Sequence, residues 1–333
     1  MILRIFTILV LLTGSAAAWA WNEYNAFLQQ PVVTQQSMIF DVGRGSSFNG
    51  IIRNLEQVEP LNKYWFKLLA YQEGLASKLK AGEYELPANI KPKEFLVLLS
   101  KGKARQHSIT FPEGWSFKEM RLALTKNKQL KQTLTDLSDL EVLQKIDAKQ
   151  THPEGLFFPD SYRFEKNTPD LVILQQAYQK MQTTLAAEWA NKAVDLPIKS
   201  PYEALILASI VEKETGVGSE RPIIAGVFTR RLKKGMRLQT DPTVIYGMGD
   251  NYHGNIRKKD LRERTAYNTY QINGLPPTPI AMPGKEAIHA ALHPAAGKSL
   301  YFVANGDGSH IFSANLKAHN KAVYAYQIKR RKK

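Results

Sequence analysis

The sequence predicts an α+β protein: an apolar N-terminal helix, then a small mixed unit, then a larger mixed unit. Three features carry that prediction. An apolar run from Ile5 to Trp21 opens the chain, short β-type segments alternate with amphipathic stretches between Met38 and Gly102, and apolar helices after Ser200 give way to a strand-turn-strand signal. With 333 residues, 44% hydrophobic and 23% charged, the chain can bury a core large enough for two domains.

The opening segment has Arg4 before it and Trp19, Trp21 and Tyr24 at its far end. Ile5 to Trp21 is seventeen residues, at the short limit of about 17–25 for crossing a bilayer. The aromatic residues sit where an interfacial belt would lie, with Arg4 left on the cytoplasmic side. A cleaved signal peptide is the rival, because Ala16-Ala17-Ala18-Trp19-Ala20 offers small residues at suitable positions. An anchor is the preferred reading of residues 1–21, and either reading exports the rest. Residues 22–36, polar with one proline, read as a juxtamembrane linker.

From residue 37 to 103 the order is strand (Met38 to Val42), helix from about Ser47, helix over Asn62 to Tyr71, strand (Gly82 to Leu86), then an amphipathic helix over Lys91 to Leu99 closed by Gly102. Gly45-Ser46-Ser47-Phe48 is echoed by Gly114-Trp115-Ser116-Phe117, which reads as two local N-cap signals and not as a functional repeat. Residues 104–328 form the larger unit. Its first part alternates helical stretches (Lys118 to Leu124, Ser138 to Ile146, Asp170 to Ala190) with an aromatic loop, Pro153 to Tyr162, which reads as a structural plug.

The chemistry concentrates after Ser200. Ser200-Pro201-Tyr202-Glu203 has the form of a capping box with proline at the first helical position. It opens an apolar helix ending in Glu212-Lys213-Glu214, with Gly216 and Gly218 beyond. A helix repeats about every 3.6 residues, so Glu214 continues the stripe of Leu207, Ile210 and Val211, while Glu212 stands over Leu205, Ala208 and Ser209. A carboxyl on an apolar stripe at a helix C-terminus is disfavoured as an anion, which suits Glu214 to proton donation near neutral pH.

A further helix over Pro222 to Lys234 ends at Gly235. It precedes Met236-Arg237-Leu238-Gln239-Thr240-Asp241-Pro242-Thr243-Val244-Ile245-Tyr246-Gly247. Alternation in an extended segment would put Arg237, Gln239 and Asp241 on one face. Amide, hydroxyl and aromatic groups are what a sugar site needs, so Gln239, Thr240, Asp241 and Tyr246 are candidate substrate-binding residues. Asn268 and Tyr270 join them from a proline-stiffened loop, Tyr267 to Ile280. Tyr301 to Ala304 and His310 to Ser313 flank Asn305-Gly306-Asp307-Gly308-Ser309, a hairpin.

Several function classes drop out. There is no cysteine, which excludes disulfides and thiolate chemistry. His253, His289, His293 and His310 lack metal-ligand spacing, and His289 with His293 reads as helix surface, so neither metal nor cofactor is expected. The net charge of +15 points to an anionic neighbour such as an acidic glycan or lipid. Part of it is the solvated tail 329–333, and without a recognition motif nucleic acid is not an expected partner.

Ala208 to Thr215, Gly235 to Gly247, Ala266 to Tyr270, Gly274-Leu275-Pro276-Pro277 with Pro279-Ile280, and Leu300 to Ala304 resemble the corresponding motifs of MltG-type (YceG-like) endolytic murein transglycosylases. The resemblance extends over roughly residues 38–325. It implies an inner-membrane, single-pass protein facing the periplasm, a LysM-like β-α-α-β subdomain at 37–103, and a transglycosylase catalytic domain at 104–328. It also implies that Glu214, in the Glu-Thr pair, is the catalytic acid. Peptidoglycan glycan strands would be the substrate, with peptidoglycan synthases as candidate partners. Glu214 would protonate the β-1,4 glycosidic oxygen, and then as carboxylate take a proton from the muramyl 6-hydroxyl, whose attack leaves a 1,6-anhydro end. Two rivals stand beside that expectation: a glycoside hydrolase pairing Glu214 with Asp241, and a non-catalytic cell-wall scaffold.

Overall fold

The computed structural model describes residues 2–34 and 36–328; the basic tail 329–333 lies outside the described residues. The chain is α+β and divides into two compact units, one of residues 1–107 with 163–167, the other of residues 108–162 with 168–333.

The first unit begins with α1 (Ile2–Gln29), which is long and apolar enough to cross a membrane by length and composition. It does not stop at Trp21. It continues without a break to Gln29, inside the segment expected to be a linker, and its last turns enter the folded core: Tyr24 and Phe27 are buried, and Val32 and Val33 follow them in. The polar composition of residues 22–36 conceals a stripe of spaced apolar side chains. Phe27 meets Phe66 edge-on at 5.0 Å, and Tyr24 lies 5.4 Å from Trp65.

The body of this unit is β1 (Met38–Val42), α2 (Phe48–Glu56), α3 (Lys63–Gln72), β2 (Gly82–Leu86) and α4 (Pro92–Lys101). This is the β-α-α-β order read from the sequence, with β1 and β2 antiparallel from Met38↔Leu86 to Val42↔Gly82. Phe40, Phe66 and Phe95 form the centre through edge-on contacts of 5.6 and 6.0 Å. Buried Glu83 is held by His107 at 2.9 Å and Lys166 at 3.2 Å. Burial opposes its charge, but those hydrogen bonds keep its carboxyl below the usual range.

Beyond it run β3 (Gln106–Thr110), α5 (Phe117–Lys126), β4 (Leu130–Lys131), α6 (Asp139–Lys145), β5 (Ser161–Glu165), β6 (Thr168–Pro169) and α7 (Asp170–Ala190). β3 pairs with β5, and β4 pairs in parallel with β6. Both members of the sequence echo are N-caps: Ser47 accepts from the Gly50 amide at 3.2 Å and Ser116 from Glu119 at 3.3 Å. The aromatic loop is a plug, with Leu156, Phe157 and Phe158 buried and Phe157 stacked on Phe117 at 5.0 Å. Gly155 sits at φ +79° with Pro279 against it, and a side chain there would have no space.

The centre of the second unit is α8 (Pro201–Glu214), in which every residue from Ala204 to Val211 is buried. Such a helix cannot show a one-sided apolar stripe; it is enclosed by α7, α9 (Arg221–Lys233) and α11 (Lys285–Leu292). Ser200 caps its start, accepting from the Glu203 amide at 3.2 Å, while the Glu203 carboxylate takes the Lys199 amide at 2.6 Å. The rest comprises α10 (Asp241–Met248), an antiparallel hairpin of β7 (Tyr301–Ala304) and β8 (His310–Ser313), and α12 (Leu316–Val323).

Because Phe27 is a core residue and Trp21 is 68% exposed, their truncations should separate. Phe27→Ala is expected to cost about 3–5 kcal/mol of stability. Trp21→Ala should stay within about 0.5 kcal/mol. Urea unfolding of the detergent-solubilised chain measures both, and equal effects would contradict the packing of α1.

Candidate active site

Glu214 is the last residue of α8, and Thr215 turns the chain extended at φ −146°, ψ 135°. Thr215 Oγ1 then accepts the Val217 amide at 3.0 Å, which fixes the direction in which the chain leaves the helix. The partly buried Glu214 side chain lines a cavity of about 530 Å³ together with Arg231, Gln239, Thr240, Asp241, Tyr270, Tyr301 and His310. Its Oε1 accepts a short hydrogen bond from the Thr240 hydroxyl. Burial pushes the Glu214 carboxyl up to about 7, and the charge of Asp241 acts in the same direction; the Thr240 hydrogen bond and the nearby His310 ring pull the other way.

Glu212 is placed quite differently. It is equally removed from water, but Oε1 lies 3.2 Å from Arg221 Nη2 and Oε2 accepts the Gly284 amide at 2.9 Å. Two residues apart on one helix, one acid is tied to Arg221 at the start of α9 and to the amide that caps α11, and the other faces a cavity.

The segment before α10 departs from the extended alternation expected of it. Gln239 is left-handed, with φ 54°, and Asp241 already belongs to α10, with Thr240 as N-cap. Several bonds impose this shape. Arg231 donates from Nη1 to the carbonyls of Arg237 at 3.0 Å and Leu238 at 2.8 Å, and from Nε to Leu300 at 2.7 Å. The Gln239 amide binds the Thr269 carbonyl at 3.2 Å, and the Thr240 amide binds Thr269 Oγ1 at 3.1 Å. Thr243 Oγ1 is 2.8 Å from the Thr240 carbonyl. The result aims the Thr240 hydroxyl at Glu214.

Five of the seven candidates read from the sequence, Glu214, Gln239, Thr240, Asp241 and Tyr270, line one cavity. The Tyr270 hydroxyl donates to Asp241 at 2.7 Å. Asn268 and Tyr246 do not reach it. Asn268 is buried, donating to the carbonyls of Asp260 at 3.0 Å and Glu263 at 2.6 Å and accepting the Tyr270 amide at 3.0 Å, so it braces the loop that carries Tyr270. Tyr246 gives its hydroxyl to Glu154 at 3.1 Å and packs on Tyr267 at 4.9 Å.

Sequence reasoning missed Glu154 and Arg231. Glu154 sits in the plug, where among the described residues its carboxyl has a backbone amide (Phe117, 3.0 Å) and the Tyr246 hydroxyl as partners, and burial raises it to about 7. It does not line the cavity. No spacing rule could have found it, since its partners come from distant segments. His289 and His293 do approach an acid, Glu188, closely enough to consider an ion. Their rings stack at 4.2 Å, and the nitrogens contact Glu188 (2.8 Å) and the Asn191 carbonyl (2.7 Å).

A model of the YceG-like family matches residues 40–325. The chain belongs to the YceG-like family. It is 31% identical over 323 residues to a protein of Bacillus subtilis (strain 168) named endolytic murein transglycosylase, covering 91% of this chain and 89% of that one. A protein of the same name from Streptococcus pneumoniae (strain D39 / NCTC 7466) is 26% identical over 279 residues, 74% of this chain; the match spans half of the pneumococcal protein. The fold resembles the 2.6 Å crystal structure of a YceG-like protein from Listeria monocytogenes, with TM-score 0.56 and 28% identity over 86% of this chain and 98% of that one.

Glu214 and Glu154 both bind a proton more tightly in the folded chain than at the unfolded reference near 4.5. That stabilisation is complete below about 4.5, falls as pH rises, and is gone once both ionise above about 7. Glu214→Gln should therefore gain stability over wild type between pH 4 and pH 8, on the order of 1–3 kcal/mol. Denaturant titrations at the two pH values measure it, and parallel curves would rule out the desolvated carboxyl.

Proposed function

We propose that the chain is an endolytic peptidoglycan lytic transglycosylase: it cleaves the MurNAc-GlcNAc β-1,4 bond within glycan strands and leaves 1,6-anhydroMurNAc ends. The observation that carries this reading is the Glu214 carboxyl, pushed up to about 7 by burial, at the edge of a polar, aromatic-lined cavity. The names of its relatives from Bacillus and Streptococcus agree with it.

With the glycan in the cavity, Glu214 gives its proton to the glycosidic oxygen, and the muramyl 6-hydroxyl attacks C1 from within the same sugar. No water enters the bond-making step, so one acid suffices where hydrolysis uses two carboxylates at a set separation. Asp241 receives the Tyr270 hydroxyl, an arrangement suited to orienting substrate rather than to serving as a nucleophile. Gln239, Thr240 and Tyr270 would contribute amide and hydroxyl groups and an aromatic face to the sugars. Asn268 and Tyr246 would act indirectly, by holding that wall.

In this reading residues 37–103 are a LysM-like glycan-holding subdomain, residues 104–328 are the catalytic domain, and α1 anchors the protein in the inner membrane with the rest in the periplasm. An anchored enzyme meets strands close to where they are made, which suits terminating nascent strands beside peptidoglycan synthases.

Mass spectrometry of glycan digested by wild type and Glu214→Gln tests the function. Wild type should release 1,6-anhydro ends, while Glu214→Gln should bind glycan but cut it at least about 100-fold more slowly. Reducing ends from wild type would indicate a two-carboxylate hydrolase, and undiminished cleavage by the variant would remove Glu214 from the mechanism.

A further inference from the structure

The cavity holds a second group able to move a proton. His310, the first residue of β8, is gripped twice by one carboxylate: Glu220 Oε1 accepts its backbone amide at 2.8 Å, and Oε2 lies 2.7 Å from its Nδ1. Glu220 ends the short helical turn that leads into α9, and the Thr215 hydroxyl, next to Glu214, donates to it at 3.4 Å. Burial works against charge on Glu220, yet the His310 hydrogen bonds outweigh it and hold the carboxyl below its ordinary range. An ionised carboxylate can only accept, so Nδ1 carries the hydrogen and Nε2 is the ring nitrogen left to exchange a proton.

Nε2 has no protein partner among the described residues, and the side chain, 11% exposed, lines the Glu214 cavity. Phe302 meets the ring edge-on at 5.3 Å and 89°, which fixes its plane. Latching the hairpin to the turn would account for the amide contact with Oε1. It does not account for an imidazole held in one plane on the wall of the cavity that Glu214 also lines.

We propose that His310 is a catalytic base in this site and that Glu220 is its positioning residue; this rests on the transglycosylase reading. As the muramyl O6 bonds to C1, the C1–O4 bond breaks. Glu214 gives its proton to O4, and the O6 proton passes to His310 Nε2. The imidazolium so formed is stabilised by the Glu220 carboxylate, and proton return from His310 to the Glu214 carboxylate restores the site with no net gain or loss. Glu214 thereby needs to act only as the acid.

Steady-state kinetics of the full chain in detergent, on uncrosslinked glycan strands, test it across pH. His310→Gln should lower kcat by about 10²–10⁴-fold and remove the acidic limb of the pH profile, with KM within about threefold of wild type. Glu220→Gln should lower kcat less and leave KM unchanged. His310→Ala should regain activity with added imidazole, a rescue that a purely structural role would not give. A His310→Gln enzyme with wild-type kcat, a loss confined to KM, or a preserved acidic limb without imidazole rescue would overturn the proposal. If wild type releases no anhydro ends, the transglycosylase reading fails instead, and the two failures are told apart by product analysis alone.

Discussion

Everything at this site depends on keeping one carboxyl short of water at the end of a buried helix. Glu214 follows closely on a run of buried residues in α8, the helix at the centre of its unit, which fixes where its backbone stands. What closes over it is a turn that ordinary propensities would not produce. Gln239 takes a left-handed backbone, and the bonds from Arg231, Thr269 and Thr243 hold it there. The strain of one non-glycine residue at positive φ is of order 1–3 kcal/mol. In return the Thr240 hydroxyl meets the acid; that hydrogen bond favours the anion, but burial outweighs it and carries the carboxyl up to about 7.

The carboxylates of the second unit show how partner type decides charge. Glu220 has an amide and an imidazole as donors and is held as an anion in spite of burial. Glu154 has one amide and one phenol, and Glu214 has one hydroxyl; for both, burial prevails and the carboxyl stays protonated to about 7. Desolvation acts on all three and most strongly on Glu214 and Glu154, while at Glu220 an imidazole, an amide and the Thr215 hydroxyl together replace water around the charged form. Glu154 fits a structural account, since its two partners tie the plug to the start of α5 and to α10.

Local signals were legible in the sequence wherever one segment decides its own shape. The Ser200 cap, the helix ending at Glu214 and the hairpin around residues 305–309 rest on short-range rules; helical phase sends Glu212 and Glu214 in different directions, but α8 is enclosed on every side, so the expected apolar stripe does not tell them apart. Long-range partners were not legible. Arg231 reshapes residues 237–239 from a preceding helix, which broke the expected alternation of Arg237, Gln239 and Asp241. Asn268 and Tyr246 have the right chemistry for a sugar site, but their donors are spent on the protein itself. The continuation of α1 into the first core was hidden for a similar reason: Tyr24 reads as an interfacial residue and Phe27 as part of a polar linker until Trp65 and Phe66 cover them.

The most direct test is to titrate the Glu214 carboxyl itself, by infrared or carbon-13 difference spectra of wild type against Glu214→Gln. The account predicts ionisation at about 7. Ionisation near 4.5, the value of an ordinary solvated glutamate, would contradict it.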